Sequence, residues 1–339
     1  MRTDDSRSAA INELYEAATP FLEAHPDYDI NTLPSWVKEN INSARVYGYK
    51  NKGVILPDGR KYHLNNKLND MTGKEWTFFI NSVFSTHYPT KGKESYAHQI
   101  RKIHPTPKPP QLMRDFIQFF SKEGDLIFDS FMGVGGTLLG AGLCGRKAAG
   151  IDLNKSYLNA YVAAAQELDI PVFPTKCGDS LELLSDESTM QELTAGKEIS
   201  LLLIDPPYSN MMSKEKTGAD ISVYGKTATP FTESEKDLGN MQRADFLEAL
   251  KISIEKALPY IKFRGYILVF IKDLQPHKKE TNLLHAEVVE KLNEIPTIYY
   301  KGMKIWSDES TKLYPYGYPF SFVANQIHQY ILVFRKEKN

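Results

Sequence analysis

The sequence predicts an α/β protein built on a mostly parallel sheet with helices on both faces. Three observations carry this expectation. From Pro110 onward, short apolar strands alternate with helical segments, the pattern of a parallel sheet buried on both sides. A glycine-rich turn follows the first of these strands and opens a helix. The polar clusters fall at the carboxyl ends of predicted strands, where open α/β sheets bind ligands.

Size and composition frame the reading. The chain has 339 residues, 42% apolar and 24% charged, values that exclude a disordered or fibrous chain. With 41 basic against 42 acidic residues, the net charge of −1 excludes a globally basic nucleic-acid binder but not a locally basic face. Two cysteines, Cys144 and Cys177, exclude a disulfide scaffold and fit a reducing compartment. No Cys/His cluster has zinc-ligand spacing. No stretch approaches ~18 uninterrupted apolar residues, and the polar N-terminus has no signal-peptide core. A cytoplasmic protein with no membrane partner is expected.

The elements are read in order. Ile11, Leu14, Tyr15, Ala18 and Phe21 recur near helical spacing and predict a helix over Ser8–Glu23. Val54–Leu56 and Lys61–Leu64, joined by Pro57-Asp58-Gly59, read as a hairpin. Trp76–Val83 is apolar without a clear period. Lys91–Lys108 is proline-rich and locally basic, a linker or functional loop. Then come a helix at Leu112–Phe120, a strand at Leu126–Asp129 and a small-residue helix at Thr137–Cys144. A strand at Ala148–Asp152 precedes an Ala-rich helix at Ser156–Leu168, with strands at Val172–Lys176 and Leu201–Ile204. Phe246–Leu258 and Ala286–Leu292 read as helices around a strand at Tyr266–Ile271. Thr297–Ile305 and Tyr330–Phe334 read as a closing antiparallel pair. Two domains are expected: an N-terminal accessory region, 1–100, and a catalytic domain, 101–339, with the polar loop 209–242 as a substrate-contacting insertion.

The glycine-rich turn is Asp129-Ser130-Phe131-Met132-Gly133-Val134-Gly135-Gly136. Glycine permits the sharp turn and close approach of a ligand, and the helix start offers free N–H groups. The next strand ends in Asp152, a carboxylate suited to both hydroxyls of a ribose. A dinucleotide fingerprint would need glycine at position 138, which is Leu138, so a nicotinamide oxidoreductase fits poorly.

Asp205-Pro206-Pro207-Tyr208 ends the apolar strand Leu201–Ile204. Two prolines forbid helix and ladder pairing and remove two donors. What remains are acceptors, the Asp205 carboxylate and the Pro206 carbonyl, beside the aromatic face of Tyr208. Such a corner suits a planar group carrying an NH2.

These residues resemble a family. Phe131-Met132-Gly133-Val134-Gly135 is similar to the FxGxG signature of S-adenosylmethionine-dependent amino methyltransferases, and Asp205–Tyr208 to their DPPY motif. His104-Pro105-Thr106-Pro107-Lys108-Pro109 resembles the HPTxKP segment of DNA amino methyltransferases. The resemblance implies a Rossmann-like methyltransferase fold with a mostly parallel seven-stranded sheet and an antiparallel closing strand, plus a small N-terminal region. It implies S-adenosylmethionine as cofactor, over Phe131, Gly133 and Gly135 and beside Asp129, with Asp152 on the ribose and Asp179 at the adenine. Thr106 and Lys108 are implied near its methionine end, and Asp205, Pro206, Pro207 and Tyr208 as the catalytic set. Asp179 reads equally as a helix cap.

The implied reaction is site-specific methylation of an exocyclic amino group of a base in DNA, double-stranded with base flipping or single-stranded. Adenine N6 is the first reading, with cytosine N4 and then an RNA amino group as alternatives. A catalytically silent nucleic-acid-binding module is the reading from another class. Candidate phosphate contacts are Lys91, Lys93, Arg101 and Lys102, and Lys214, Lys216 and Lys226. The run Tyr314–Pro319 is a candidate for base stacking. With no nuclease motif in sight, a restriction or defence partner is expected on a separate chain, if at all.

Overall fold

The computed structural model describes residues 19–208, 231–273, 275–276, 279 and 281–338. Of the expected helix Ser8–Glu23 only its end is described, as the helical turn Phe21–Ala24. Lys214, Lys216, Lys226 and most of the expected loop 209–242 lie outside the described residues.

The chain divides into two compact units, Met1–Ile80 with Gln118–Glu123, and Asn81–Ile117 with Gly124–Asn339. In the first unit the expected hairpin is present. Strands β1 (Arg45–Tyr47), β2 (Gly53–Ile55) and β3 (Lys61–His63) form an antiparallel sheet in that order. The turn between β2 and β3 uses Gly59 at φ 83°. Phe21, Val37, Val54, Leu56 and Tyr62 build its own core.

The second unit holds one sheet of eight strands among the described residues. In chain order they are β4 (Val83–Thr86), β5 (Leu126–Asp129), β6 (Lys147–Asp152), β7 (Thr175–Cys177), β8 (Ile199–Ile204), β9 (Ile261–Ile271), β10 (Ile298–Asp308) and β11 (His328–Lys336). Their spatial order is β4-β10-β11-β9-β8-β5-β6-β7. Pairing is parallel from β9 through β8, β5 and β6 to β7, and β11 alone runs antiparallel to its neighbours β9 and β10. All six residues of β8 are buried, as a central strand covered on both faces requires. Each such aliphatic side chain contributes roughly 1.5–3 kcal/mol on burial.

The sheet has eight strands rather than seven. Val83–Thr86 joins its edge in parallel with Ile305–Asp308 of β10. The apolar stretch Trp76–Val83 therefore splits. Gly73–Phe79 is a helix closed by a capping box between Thr72 and Glu75, and the chain then extends into β4. Because β4 belongs to the large sheet, the division between units falls at Ile80 rather than at residue 100. Within 91–108, His98–Arg101 forms a helical turn. The strand expected at Val172–Lys176 is shifted to Thr175–Cys177.

Strand order reverses at β5, which lies between β6 and β8. A crevice opens at such a switch point, outside the carboxyl ends of the strands. The glycine turn, Asp152, Asp179 and Asp205 leave β5, β6, β7 and β8 at that edge.

Gly135 is fixed by two demands. Its φ is 77°, and a Cβ there would lie 2.2 Å from Tyr161 Cδ2 on the helix Lys155–Glu167. Gly135→Ala is expected to lower stability by about 2–5 kcal/mol, from left-handed strain plus overpacking. Urea unfolding measures this, and a loss below about 1 kcal/mol would mean that the Tyr161 ring moves aside without cost.

Candidate active site

The turn after β5 is tied by one carboxylate. Asp129, 2% exposed, accepts from Phe131 N at 3.0 Å and from Thr137 Oγ1 at 2.6 Å. It thus joins the strand end, the turn and the following helix. Burial raises its carboxyl to about 7, and the two donors oppose that rise. Gly133, at φ 51°, donates its N–H to Asp152 Oδ2 at 2.7 Å. Asp152 Oδ1 accepts from Asn154 N at 2.8 Å. Burial raises Asp152 to about 6, again opposed by its two backbone donors. Each carboxylate oxygen retains lone-pair capacity for a further donor.

Aromatic rings stand beside the turn. The His104 ring stacks on Phe231 at 4.9 Å between centroids and meets Tyr157 edge-on at 4.9 Å. His104 Nδ1 accepts from Thr106 N at 3.2 Å. Burial lowers His104 to about 4, so the ring is neutral at pH 7. Asp179 caps the turn Ser180–Leu183 by accepting from Leu181 N at 2.8 Å, with Lys236 Nζ 3.8 Å away.

At the end of β8, both oxygens of Asp205 are held. Lys108 Nζ donates to Oδ2 at 2.5 Å, and the Tyr208 hydroxyl donates to Oδ1 at 2.6 Å. The pair is secluded, with Lys108 9% and Asp205 16% exposed. Burial and the adjacent carboxylate push the Tyr208 hydroxyl well above its usual range. Lys272, directly after β9, is lowered by burial and by the like charge of Lys108.

One cleft gathers these groups. Thr106, Lys108, Phe131, Gly133, Asp152 and Asp179 line it together with Asp205, Pro206, Pro207 and Tyr208. Its cavity volume is about 170 Å³. Asp129 lines a smaller adjoining recess beneath the turn. Gly135 lines neither and serves packing instead. Arg101 departs from its expected place: it is 1% exposed and donates to the carbonyls of Lys108 (2.8 Å) and Tyr96 (3.4 Å), so it is no surface phosphate contact. Lys91, Lys93 and Lys102 are exposed.

The sequence missed Tyr157, Phe231, Lys272 and Gln329, which also line the cleft. Tyr157 sits in an Ala-rich helix and reads as core, and Gln329 lies in a strand read for its apolar residues. His104 was visible only as part of its motif.

The chain is similar to known proteins over part of its length. A family model described as DNA methylase matches residues 32–164, a span that holds the His104–Pro109 and Phe131–Gly135 segments and begins inside the first unit. The type II methyltransferase M1.MboII of Moraxella bovis is 37% identical over 144 residues, 42% of this chain and 50% of its own. The type II methyltransferase M2.DpnII of Streptococcus pneumoniae is 35% identical over 127 residues, 36% of this chain and 37% of its own. A tRNA (guanine(10)-N2)-dimethyltransferase of Methanocaldococcus jannaschii is 28% identical over 144 residues, 42% of this chain and 40% of its own. The chain spans half or less of the length of each of these relatives.

Residues 32–164 thus match a DNA methylase family model, and the type II methyltransferases are similar to part of the chain.

The state of His104 is open to direct test. Its folded value of about 4 lies below the ordinary 6.5. Its contribution to stability is therefore complete above about pH 6.5 and is lost as pH falls toward 4. By NMR the His104 ring is expected to titrate near pH 4. A midpoint near 6.5 would mean that the ring stands open to water.

Proposed function

We propose that this chain transfers a methyl group from S-adenosylmethionine to the exocyclic amino group of a flipped base in DNA, adenine N6 being the acceptor. The observation that carries this reading is the Asp205–Pro207 corner, held by Lys108 and Tyr208 at the mouth of the same cleft that the Gly133 turn enters.

The residues present suit the cofactor. Asp152 keeps acceptor capacity toward a ribose beside the Gly133 turn. Phe131, Tyr157 and Phe231 offer apolar faces, and Asp179, which lines the same cleft, is the residue we assign to the adenine. Thr106 and Lys108, the latter bonded to Asp205, are the residues we assign to its methionine end. When bound, the cofactor supplies an electrophilic methyl group.

The chain's own part is to bind and orient. An amine conjugated to a ring is a poor nucleophile. The Asp205 carboxylate and the Pro206 carbonyl accept its two N–H bonds and favour a pyramidal nitrogen whose lone pair faces the methyl. Positive charge grows on that nitrogen, so fixed acceptors help most at the transition state. The Lys108 ammonium holds the carboxylate in position before the amine arrives. The surplus proton leaves late, through Asp205 or water. Flipping the base costs a few kcal/mol of stacking and pairing, which contacts to DNA must offset. A restriction endonuclease on a separate chain is the partner this reading suggests, given the type II relatives.

The test is methyl transfer from labelled S-adenosylmethionine to double-stranded DNA, single-stranded DNA and tRNA, with products identified as nucleosides by mass. N6-methyladenine in DNA is expected. N4-methylcytosine would overturn the base, and label confined to tRNA would overturn DNA as the substrate. Asp205→Ala should reduce transfer about 10²-fold or more while cofactor affinity stays within about twofold. Cofactor affinity should weaken as pH falls through about 6, because Asp152 is then protonated and the hydroxyls lose an ionised acceptor. Calorimetric binding across pH 5–8 that shows no change would refute the ribose role.

A further inference from the structure

A second chamber adjoins the catalytic cleft and shares Thr106, Lys108 and Gln329 with it. Its cavity volume is about 270 Å³, and Asp205 does not line it. The aromatic rings of Tyr88 and Trp306 stand in its wall.

Two unpartnered groups distinguish this chamber. Among the described residues, the buried side-chain polar atoms without a hydrogen-bond partner are Gln111 Oε1 and Gln329 Oε1, and both residues line it. Gln111 is 8% exposed, and its Nε2 donates to the Glu94 carbonyl at 2.7 Å. The free atom of that amide is therefore the oxygen, which can only accept. Buried acceptors of this kind are rare and costly unless something donates to them, as the N–H groups of a ligand would. Arg101 adds a positive charge at the same wall. Its guanidinium is bound by backbone carbonyls and has no carboxylate partner among the described residues.

The ligand that matches is planar, carries adjacent N–H donors and bears an anion. Among nucleotides, guanine supplies most: N1–H and N2–H2 stand side by side on one edge, whereas adenine offers an acceptor at N1. We propose that this chamber is a second nucleotide site, which takes a guanine nucleotide next to the acceptor base on the same strand. Gln111 accepts from its N2–H2 and Gln329 from its N1–H, Tyr88 and Trp306 flank its ring, and the buried charge of Arg101 favours its phosphate through the wall without touching it. The site is a specificity determinant separate from the chemistry at Asp205. It rests on the reading of the neighbouring cleft as the acceptor site of a nucleic-acid methyltransferase.

The test is calorimetric titration of the full chain, saturated with S-adenosylhomocysteine, with GMP and with IMP, which lacks the 2-amino group. GMP is expected to bind about tenfold tighter than IMP, the difference of one hydrogen bond to a buried acceptor. Gln111→Leu should abolish that preference while S-adenosylhomocysteine binding, which reports an intact fold, is unchanged. Equal binding of GMP and IMP to the unsubstituted chain, no binding of either at millimolar concentration, or an undiminished preference in Gln111→Leu would overturn the site. A GMP preference in a chain that methylates no DNA would uphold the chamber and overturn DNA as the substrate. DNA methylation without a GMP preference would overturn the chamber alone.

Discussion

The contact between Lys108 and Asp205 is the one on which the site depends. Removing two charges from water is expensive, and their attraction repays that cost only when geometry and further hydrogen bonds are favourable. Here the further bonds are present: Tyr208 holds the second carboxylate oxygen, and the Lys108 carbonyl is held by Arg101. The segment before the first helix of the large sheet is thereby drawn to the end of β8, across a sequence separation of 97 residues. Without that tie, Thr106 and Lys108 would have no reason to stand over the same cleft as the proline corner.

A second tie is independent of the first. Asp129 binds the glycine turn to the start of the next helix, and Asp152 binds Gly133 to the end of β6. Both carboxyls are raised by burial, so the cleft floor holds groups that are less strongly acidic than usual. The neutral His104 ring covers the turn from the other side. Both signs of charge line the cleft, with Lys108 against Asp205 and Lys236 near Asp179.

Much of this was legible in the sequence, for a local reason. The turn Phe131–Gly135 and the corner Asp205–Tyr208 are short segments whose backbone is dictated by glycine and proline, so their chemistry can be read without tertiary knowledge. The alternation of β5 to β9 with helices is equally local. What escaped is what distant segments bring together. Gln329 and Lys272 reach the cleft from strands at the far end of the chain, and nothing around them in sequence marks them. The edge strand β4 is four residues of mixed polarity whose partner lies more than 200 positions away, and Arg101 reads as a surface cation until its burial is seen. Tyr208 was expected as a stacking face, and its hydroxyl bond to Asp205 depends on a side-chain orientation that no pattern encodes.

The antiparallel strand β11 lies between β9 and β10, although it is the last strand in the chain. During synthesis, β5 to β9 can pair as they emerge, and β9 then presents an open row of backbone groups. Its partner is completed only when Lys336 has been made, 65 residues after Ile271. At ribosomal speeds of ~5–20 residues per second, that edge stays unpaired for on the order of 3–13 s. β9 ends in the apolar run Ile267–Ile271, and such an edge readily recruits another strand. The nascent chain therefore passes through an interval in which an apolar sheet edge is open to pairing with other strands.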